Sequence, residues 1–179
     1  AVWTEKDERA YAYSVDQLVD RAGQLAGLGI TELHIVGGMT KEYDLPYYEE
    51  LFSELKATLP HVSLTALTAV EVDFIARISK VTSAEALRRL RTAGHDTMPG
   101  GGAEVFSPRV RKIIADRKVP AETWLDVHRE AHAQGLRTNA TLLFGHFETP
   151  EEQVDHMRQL RDLQDDTGGF QAFIPLPFL

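Results

Sequence analysis

The chain contains no cysteine and no long hydrophobic run, and each absence excludes a class of structure. Without cysteine, its 179 residues hold no disulfide framework and no thiolate metal site. No apolar segment approaches the roughly 20 residues that a membrane-spanning helix needs. Residues 1–20 are too charged for a secretory signal peptide. We therefore expect a cytoplasmic location and no membrane partner.

The chain has an excess of acidic residues. It carries 19 lysines and arginines against 27 aspartates and glutamates, which gives a formal net charge of −8. A nucleic-acid partner is not expected, because neutralising phosphates requires a basic surface. Hydrophobic residues make up 43% of the chain and charged residues 26%, which is ordinary globular composition. At this length we expect a single domain over residues 1–179.

Capping patterns predict where several helices begin and end. Three segments have the spacing of a capping box, a hydroxyl residue followed three positions later by Gln or Glu: Ser14, Thr82 and Thr149. Three glycines follow helix-like periods and suit the left-handed residue just past a helix end: Gly29, Gly94 and Gly135. A further short helix is expected at 108–117.

Helix-like segments alternate with strand-like runs at 32–36, 62–70, 95–98, 138–144 and 170–174. The runs recur about every 30 residues, the length of a βαβ unit, which predicts a parallel sheet. Several runs carry polar residues that would point inward: His34, Ser63, Thr65, Asn139 and Thr141. This pattern favours a barrel over a doubly wound sheet, which is apolar on both faces. Because a closed barrel takes about 250 residues, we predict part of a TIM-like (β/α) barrel with about five βα units.

The active site of such a barrel lies at the carboxyl ends of its strands. Four predicted strands end in glycine, a carboxylate or both: Gly37 and Gly38, then Glu71, then the segment from Gly100 to Glu104, then Gly145 and Glu148. Glycines let a ligand approach the backbone, and a carboxylate suits an ammonium group or a ribose diol. Because a bare turn needs only one or two glycines, we interpret the three at 100–102 as part of a ligand site.

Five segments resemble the radical S-adenosylmethionine (SAM) superfamily, in the right order: 31–38, 65–71, 99–106, 139–150 and 168–175. Within it they are most similar to the aminofutalosine synthases of menaquinone biosynthesis, and several also occur in sister families. The resemblance implies a TIM-like barrel that binds SAM and a 4Fe–4S cluster and acts on a small-molecule substrate. It also implies an external electron donor such as flavodoxin or ferredoxin.

The resemblance implies roles for the strand-end residues. Glycines after the second barrel strand of the superfamily bind the methionine amino group, and Gly37 and Gly38 match them. A polar residue at the fourth strand end contacts the ribose, and Glu104 matches it. A Gly-x-x-Glu after the fifth strand supports the adenine, and Gly145 and Glu148 match it. These five positions are the expected core of the cofactor site.

Four further positions complete the expected site. Glu71 matches a family carboxylate that faces the same cavity. Three inward polar residues are expected to contact substrate: His34, Asn139 and Thr141. The implied reaction adds the 5′-deoxyadenosyl radical to 3-[(1-carboxyvinyl)oxy]benzoate, which rearranges to aminofutalosine with release of methionine and bicarbonate. The enzyme would then be a transferase, with no catalytic acid or base identified.

The family's cluster is held by three cysteines spaced Cys-x3-Cys-x2-Cys after the first barrel strand, and this chain has none. Residues 1–13 resemble the segment that follows the last of those cysteines. We therefore expect a fragment, with the first strand, the cluster loop and the C-terminal strands outside it. We also expect the fragment alone to bind no cluster and to be inactive.

Other functions remain open from the sequence. A sister enzyme, either dehypoxanthine futalosine cyclase or a component of deazaflavin (F0) synthase, would share most of these segments. A cysteine-free phosphate-binding barrel enzyme would use a Schiff-base lysine or an Asp–His pair at its strand ends, and the sequence has neither there. A non-catalytic scaffold domain is the remaining alternative.

Overall fold

The computed structural model describes residues 11–178, so most of the segment at 1–13 lies outside the described residues. Helices and strands follow in this order: α1 (Val15–Gly23), β1 (Glu32–Ile35), α2 (Leu45–Thr58), β2 (Ser63–Ala66), α3 (Ala69–Ile78), α4 (Ser83–Thr92), β3 (Thr97–Met98), α5 (Pro108–Ile114), α6 (Ala121–Ala133), β4 (Arg137–Phe144), α7 (Pro150–Thr167) and β5 (Phe170–Pro177). The strands form one parallel sheet in chain order. The predicted parallel α/β architecture is confirmed, and between residues 11 and 178 the sheet is open rather than closed.

Capping bonds account for several helix boundaries. The predicted capping boxes at Ser14 and Thr149 are both complete, and Thr82 caps α4 through its hydroxyl. The chain leaves α4 and α6 through left-handed glycines, Gly94 and Gly135, as the sequence predicts. Between residues 11 and 178, no helix is both long enough and apolar enough to cross a bilayer.

The second strand is shorter than its apolar run predicts. β2 ends at Ala66, and residues 69–70, which were predicted to end the strand, begin α3 instead. The Thr68 hydroxyl accepts a hydrogen bond from the Glu71 N–H at 3.3 Å, and the Glu71 carboxylate accepts one from the Thr68 N–H at 2.8 Å. This capping box outweighs the strand propensity of the run.

Other predicted boundaries move by a few residues. β5 continues to Pro177 because it pairs with β4 along its whole length. α5 ends at Ile114 because Ala115 leaves the helical region, with φ −143°. α1 ends at Gly23, so Gly29 belongs to the following turn rather than to the helix end. These shifts leave the order of the elements unchanged.

The two faces of the sheet differ in polarity. The register pairs His34 with Thr65 on one face, and Leu33 with Leu64 on the other. The leucines join the helix-covered core, where Trp124 is fully buried. His34 instead lies on the face that turns away from that core. Two members of the predicted polar row, His34 and Thr65, therefore lie side by side on that face.

Four histidine side chains are buried or half-buried inside the protein, and the pKa of each is lowered. Burial lowers the pKa of His95, His132 and His156 to about 4, and that of His128 well below its ordinary value of 6.5. His128 and His132 share one partner, the Thr138 hydroxyl, at 2.8 Å from each ring. That hydroxyl can donate to one neutral ring while it accepts from the other. All four rings are therefore neutral at physiological pH.

We predict that mild acid destabilises the fold through these histidines. The folded-state pKa values of about 4 lie below the 6.5 of an exposed histidine, so between these values the unfolded chain binds more protons. The free energy of unfolding should fall as the pH is lowered through that range, as measured by urea unfolding. His95→Phe should make the decline shallower, and His61→Phe at an exposed position should not. A level free energy of unfolding across this pH range would contradict the prediction.

Candidate functional site

The carboxyl ends of the parallel strands meet at one edge of the sheet. The connections after the first four strands begin there, at Val36, Leu67, Pro99 and Gly145. We call this the strand-end edge. The glycines and carboxylates that the sequence assigns to a cofactor all lie in these connections or in the helical turns that follow them.

Gly37 and Gly38, just after β1, have no need to be glycine for the fold of residues 11–178. Neither has a left-handed φ, and a Cβ on either would meet nothing within 4 Å. At each of the other glycines, either φ is left-handed or an added Cβ would lie within 4 Å of a neighbouring side-chain or backbone atom. The end of β1 therefore offers an open approach to the backbone.

At 100–102, unlike at Gly37 and Gly38, close packing requires glycine. A Cβ on Gly100 would lie 2.7 Å from the Asn139 carbonyl oxygen, far closer than real Cβ contacts. A Cβ on Gly102 would overlap Val70, and its φ of 85° is left-handed. Close packing against β4 and α3 therefore accounts for glycines that the sequence alone attributed to a ligand.

We call residues 100–106 the anchored loop, because four of its consecutive carbonyl oxygens, at 100–103, accept hydrogen bonds from side chains. The donors lie on three elements: the Thr141 hydroxyl on β4 (2.6 Å), the Trp124 indole on α6 (3.2 Å) and the Arg111 guanidinium on α5 (2.5 Å to the Ala103 carbonyl). Thr141, predicted to contact substrate, thus uses its hydroxyl on the loop. The loop is held from within the protein.

Glu104 occupies a strained position in this loop. Its φ of 50° is left-handed, a conformation that costs a non-glycine residue about 1–2 kcal/mol. Its carbonyl accepts a hydrogen bond from the Leu143 N–H at 3.0 Å, and its carboxylate, 16% exposed, is paired with Lys118. Ser107, not Glu104, caps α5. Such strain at a non-glycine residue is typical of a functional site.

The carboxylate of Glu148 closes the loop after β4. It accepts hydrogen bonds from the N–H groups of Gly145 at 2.5 Å and His146 at 3.0 Å, and from the Gln153 amide at 2.8 Å. Burial alone would raise the pKa of Glu148, but these donors lower it to about 2. The side chain is 2% exposed. Glu148 is therefore an ionised group that holds its own loop in shape.

The remaining predicted residues lie in different settings. The Glu71 carboxylate bonds the Thr68 hydroxyl at 2.7 Å as well as its N–H, so it caps α3. The Thr-x-x-Glu spacing is visible in the sequence and would have predicted this cap. His34 is half-exposed, with Nδ1 3.9 Å from a Glu32 carboxylate oxygen. Asn139 is half-buried on β4.

The structure joins the loops after β3 and β4, and leaves the end of β1 apart. Arg109 donates to the Phe147 carbonyl at 2.7 Å and to the Glu152 carboxylate at 2.6 Å, which links the start of α5 to the loop after β4. Within residues 11–178, no hydrogen bond connects Gly37 or Gly38 to either loop. Arg109 and Glu152 carry no distinctive sequence signal, because both lie in ordinary helical segments.

Residues 1–160 match the family model of the radical SAM superfamily. The chain is 46% identical over 172 residues to an aminodeoxyfutalosine synthase from Thermus thermophilus, which covers 96% of this chain and 46% of that protein. It is 40% identical over 174 residues to a 5-amino-6-(D-ribitylamino)uracil–L-tyrosine 4-hydroxyphenyl transferase 2 from Methanosarcina mazei, which covers 97% of this chain and 45% of that protein. The chain thus spans under half the length of these two relatives.

A solved structure shares the same fold. Methylornithine synthase superposes with a TM-score of 0.74 at 16% sequence identity, over 94% of this chain and 45% of that one. At this identity the likeness concerns the fold alone, and it agrees with the five parallel strands described above.

Proposed function

The chain belongs to the radical SAM superfamily, and on that basis we propose that it is part of an aminofutalosine synthase, a SAM-dependent transferase. The observation that carries this proposal is the open glycine pair after β1, Gly37 and Gly38, where neither φ nor packing requires glycine. A ligand that lies against the backbone would explain why both positions are glycine. The 46% identity to an aminodeoxyfutalosine synthase favours this member of the superfamily.

The strand-end edge has groups that suit the parts of SAM. We assign the methionine amino group to the backbone at Gly37 and Gly38, which no side chain obstructs. We assign the ribose to Glu104, because a carboxylate accepts charge-assisted hydrogen bonds from hydroxyl groups. We assign the adenine to the loop at Gly145, whose shape depends on the bonds to Glu148. The resemblance to the superfamily implies each assignment, and the chemistry of the residue present is compatible with it.

The substrate would lie against the polar face of the sheet. His34 and Asn139 can each donate a hydrogen bond to a substrate carboxylate. Thr141 would shape the cavity indirectly, because its hydroxyl is bonded to the anchored loop. Glu71 would line the cavity from the first turn of α3, where its carboxylate accepts the capping bonds.

The 4Fe–4S cluster, which supplies the electron that cleaves SAM, does not fit the residues of this chain. The usual ligands are thiolates, and the chain has no cysteine. Between residues 11 and 178, no three side chains of the metal-binding types lie together. We propose that the cysteines that bind the cluster belong to the rest of a longer protein. We also propose that flavodoxin or ferredoxin reduces the cluster. This chain would bind and orient the cofactor and exclude water.

For the whole enzyme, we propose transfer of the 5′-deoxyadenosyl group of SAM to 3-[(1-carboxyvinyl)oxy]benzoate with uptake of one water molecule, giving aminofutalosine, methionine and bicarbonate. The test uses the longer protein, reconstituted anaerobically with iron and sulfide, reduced, and supplied with SAM and this substrate. Mass spectrometry should detect aminofutalosine in proportion to the methionine released. Methionine release without aminofutalosine would contradict the proposed substrate and leave the superfamily chemistry intact.

The second candidate is a deazaflavin-type sister enzyme, favoured by the 40% identity to the Methanosarcina mazei transferase. The name of that transferase specifies tyrosine and 5-amino-6-(D-ribitylamino)uracil. The same reconstituted protein should therefore be incubated with these two compounds in parallel. A coupled product from this pair, with no aminofutalosine in the other reaction, would select the second candidate.

We predict that Glu104→Ala weakens SAM binding to the longer reconstituted protein by roughly 10- to 100-fold. Each charge-assisted hydrogen bond to a ribose hydroxyl is worth about 1.5–3 kcal/mol, and about 1.4 kcal/mol is a tenfold change in affinity. Glu104→Gln should lose less, because it keeps one acceptor. Lys118→Ala is the matched control, since it removes the ion-pair partner and leaves the carboxylate. Unchanged affinity in Glu104→Ala by calorimetric titration would contradict the ribose assignment.

A further inference from the structure

Resting on the proposed function, we propose that His156 is a positioning residue of the cofactor site, which acts on Glu104 through the anchored loop. His156 lies in the second turn of α7 and is 0% exposed, so it reaches no ligand directly. Its effect on a ligand must pass through the backbone that it binds. Nothing in the reaction proposed above requires this residue.

Both ring nitrogens of His156 bind the backbone. Nδ1 accepts a hydrogen bond from the Phe106 N–H at 3.2 Å, and Nε2 lies 2.9 Å from the Thr141 carbonyl oxygen. Because a donor faces Nδ1 and an acceptor faces Nε2, the ring is neutral with its proton on Nε2. The ring also lies against Phe106, with centroids 3.9 Å apart. His156 therefore ties the end of the anchored loop to β4.

Hydrogen bonds to the residues on both sides of Glu104 hold the backbone at this position. Arg111 binds the carbonyl just before Glu104, and the Leu143 N–H binds the carbonyl of Glu104 itself. Two residues later, His156 binds the N–H of Phe106. A left-handed non-glycine residue persists only when its surroundings hold it there. Without His156, the N–H of Phe106 loses its partner, and we expect the segment after Glu104 to relax enough to displace the carboxylate.

A second side chain of α7 supports the same segment. Glu152 precedes His156 by four residues, so the two side chains share one face of the helix. The Glu152 carboxylate accepts hydrogen bonds from the Ser107 hydroxyl at 2.6 Å and from Arg109 Nε at 3.0 Å. One face of α7 thus binds residues 106–109 at successive points. His156 is the buried member of this pair, and its partner Phe106 lies nearer to Glu104 in sequence than the partners of Glu152 do.

His95 provides a matched control for a purely structural role. It is also buried, 1% exposed, with Nε2 2.8 Å from the Ala66 carbonyl. Its ring stacks on Phe52 at 5.2 Å between centroids. Its partners lie on β2 and α2, away from the anchored loop. Substitution of His95 should therefore reduce stability and leave the cofactor site in place.

Two substitutions separate the two bonds of His156. Asn places its amide oxygen as many bonds from Cβ as Nδ1, so His156→Asn keeps an acceptor for the Phe106 N–H. Gln places its amide nitrogen as many bonds from Cβ as Nε2, so His156→Gln keeps a donor for the Thr141 carbonyl. Each variant removes one ring bond, and both lose the aromatic ring. A structural role alone gives no reason for them to differ in SAM affinity.

The experiment measures three quantities in the longer reconstituted protein and its variants: the Kd for SAM by calorimetric titration, the melting temperature, and hydrogen exchange of the amides at 104–107. His156→Gln should raise the Kd about tenfold and speed exchange, since small displacements of a binding group cost affinity steeply. His156→Asn should stay within about threefold of the wild-type Kd. Both variants, and His95→Phe, should lower the melting temperature.

Equal Kd values for His156→Gln and His95→Phe would overturn the proposal. So would unchanged exchange at 104–107 in His156→Gln, whether or not the protein binds SAM. Failure of the wild-type protein to bind SAM would instead refute the proposed function, and the exchange measurement would still decide whether His156 holds the loop. The two claims are thereby tested separately.

Discussion

Arg111 is 6% exposed beside the anchored loop, where its guanidinium donates to the backbone carbonyls of Gly102, Ala103 and Val119. Burying a cation costs free energy unless its donors are paired, and burial accordingly lowers the pKa of Arg111. The carbonyl dipoles offset that cost, and the cation in turn holds the carbonyls in one orientation. Glu104, with its left-handed backbone, directly follows Gly102 and Ala103, two of the residues whose carbonyls Arg111 binds.

In the loop after β4, a negatively charged side chain binds backbone N–H groups, as the positively charged Arg111 binds backbone carbonyls. The Glu148 carboxylate binds backbone N–H groups and has a pKa of about 2. Glu152, whose pKa is also about 2, is paired with Arg109 and accepts from Ser107. Two neighbouring loops are therefore shaped by ionised side chains that hold backbone rather than by side-chain packing alone. Such fixed dipoles suit the binding of a polar cofactor, because they need no reorganisation when it arrives.

Local patterns predicted much of the fold. Capping patterns, helix-like periods and a spacing of about 30 residues between strands predicted the parallel sheet and the helices other than α3. The predicted end of β2 was wrong because the strand-like run 62–70 contains a further capping box, at Thr68. The packing role of the glycines at 100–102 was not predicted because its cause is tertiary: a Cβ on Gly100 would collide with the backbone of β4, and no local pattern encodes that neighbour. The sequence predicts only a helix-face residue at His156 for the same reason, since its partners lie 15 and 50 residues away in sequence.

The central claim is that SAM binds at the strand-end edge, over the glycines after β1 and the two loops that α7 supports. Hydrogen exchange of the longer reconstituted protein, with and without SAM, tests it most directly. The account predicts added protection at 36–39, 100–105 and 145–148, and none in α6 at 121–133. Protection confined to other parts of the protein, with these three segments unchanged, would contradict it.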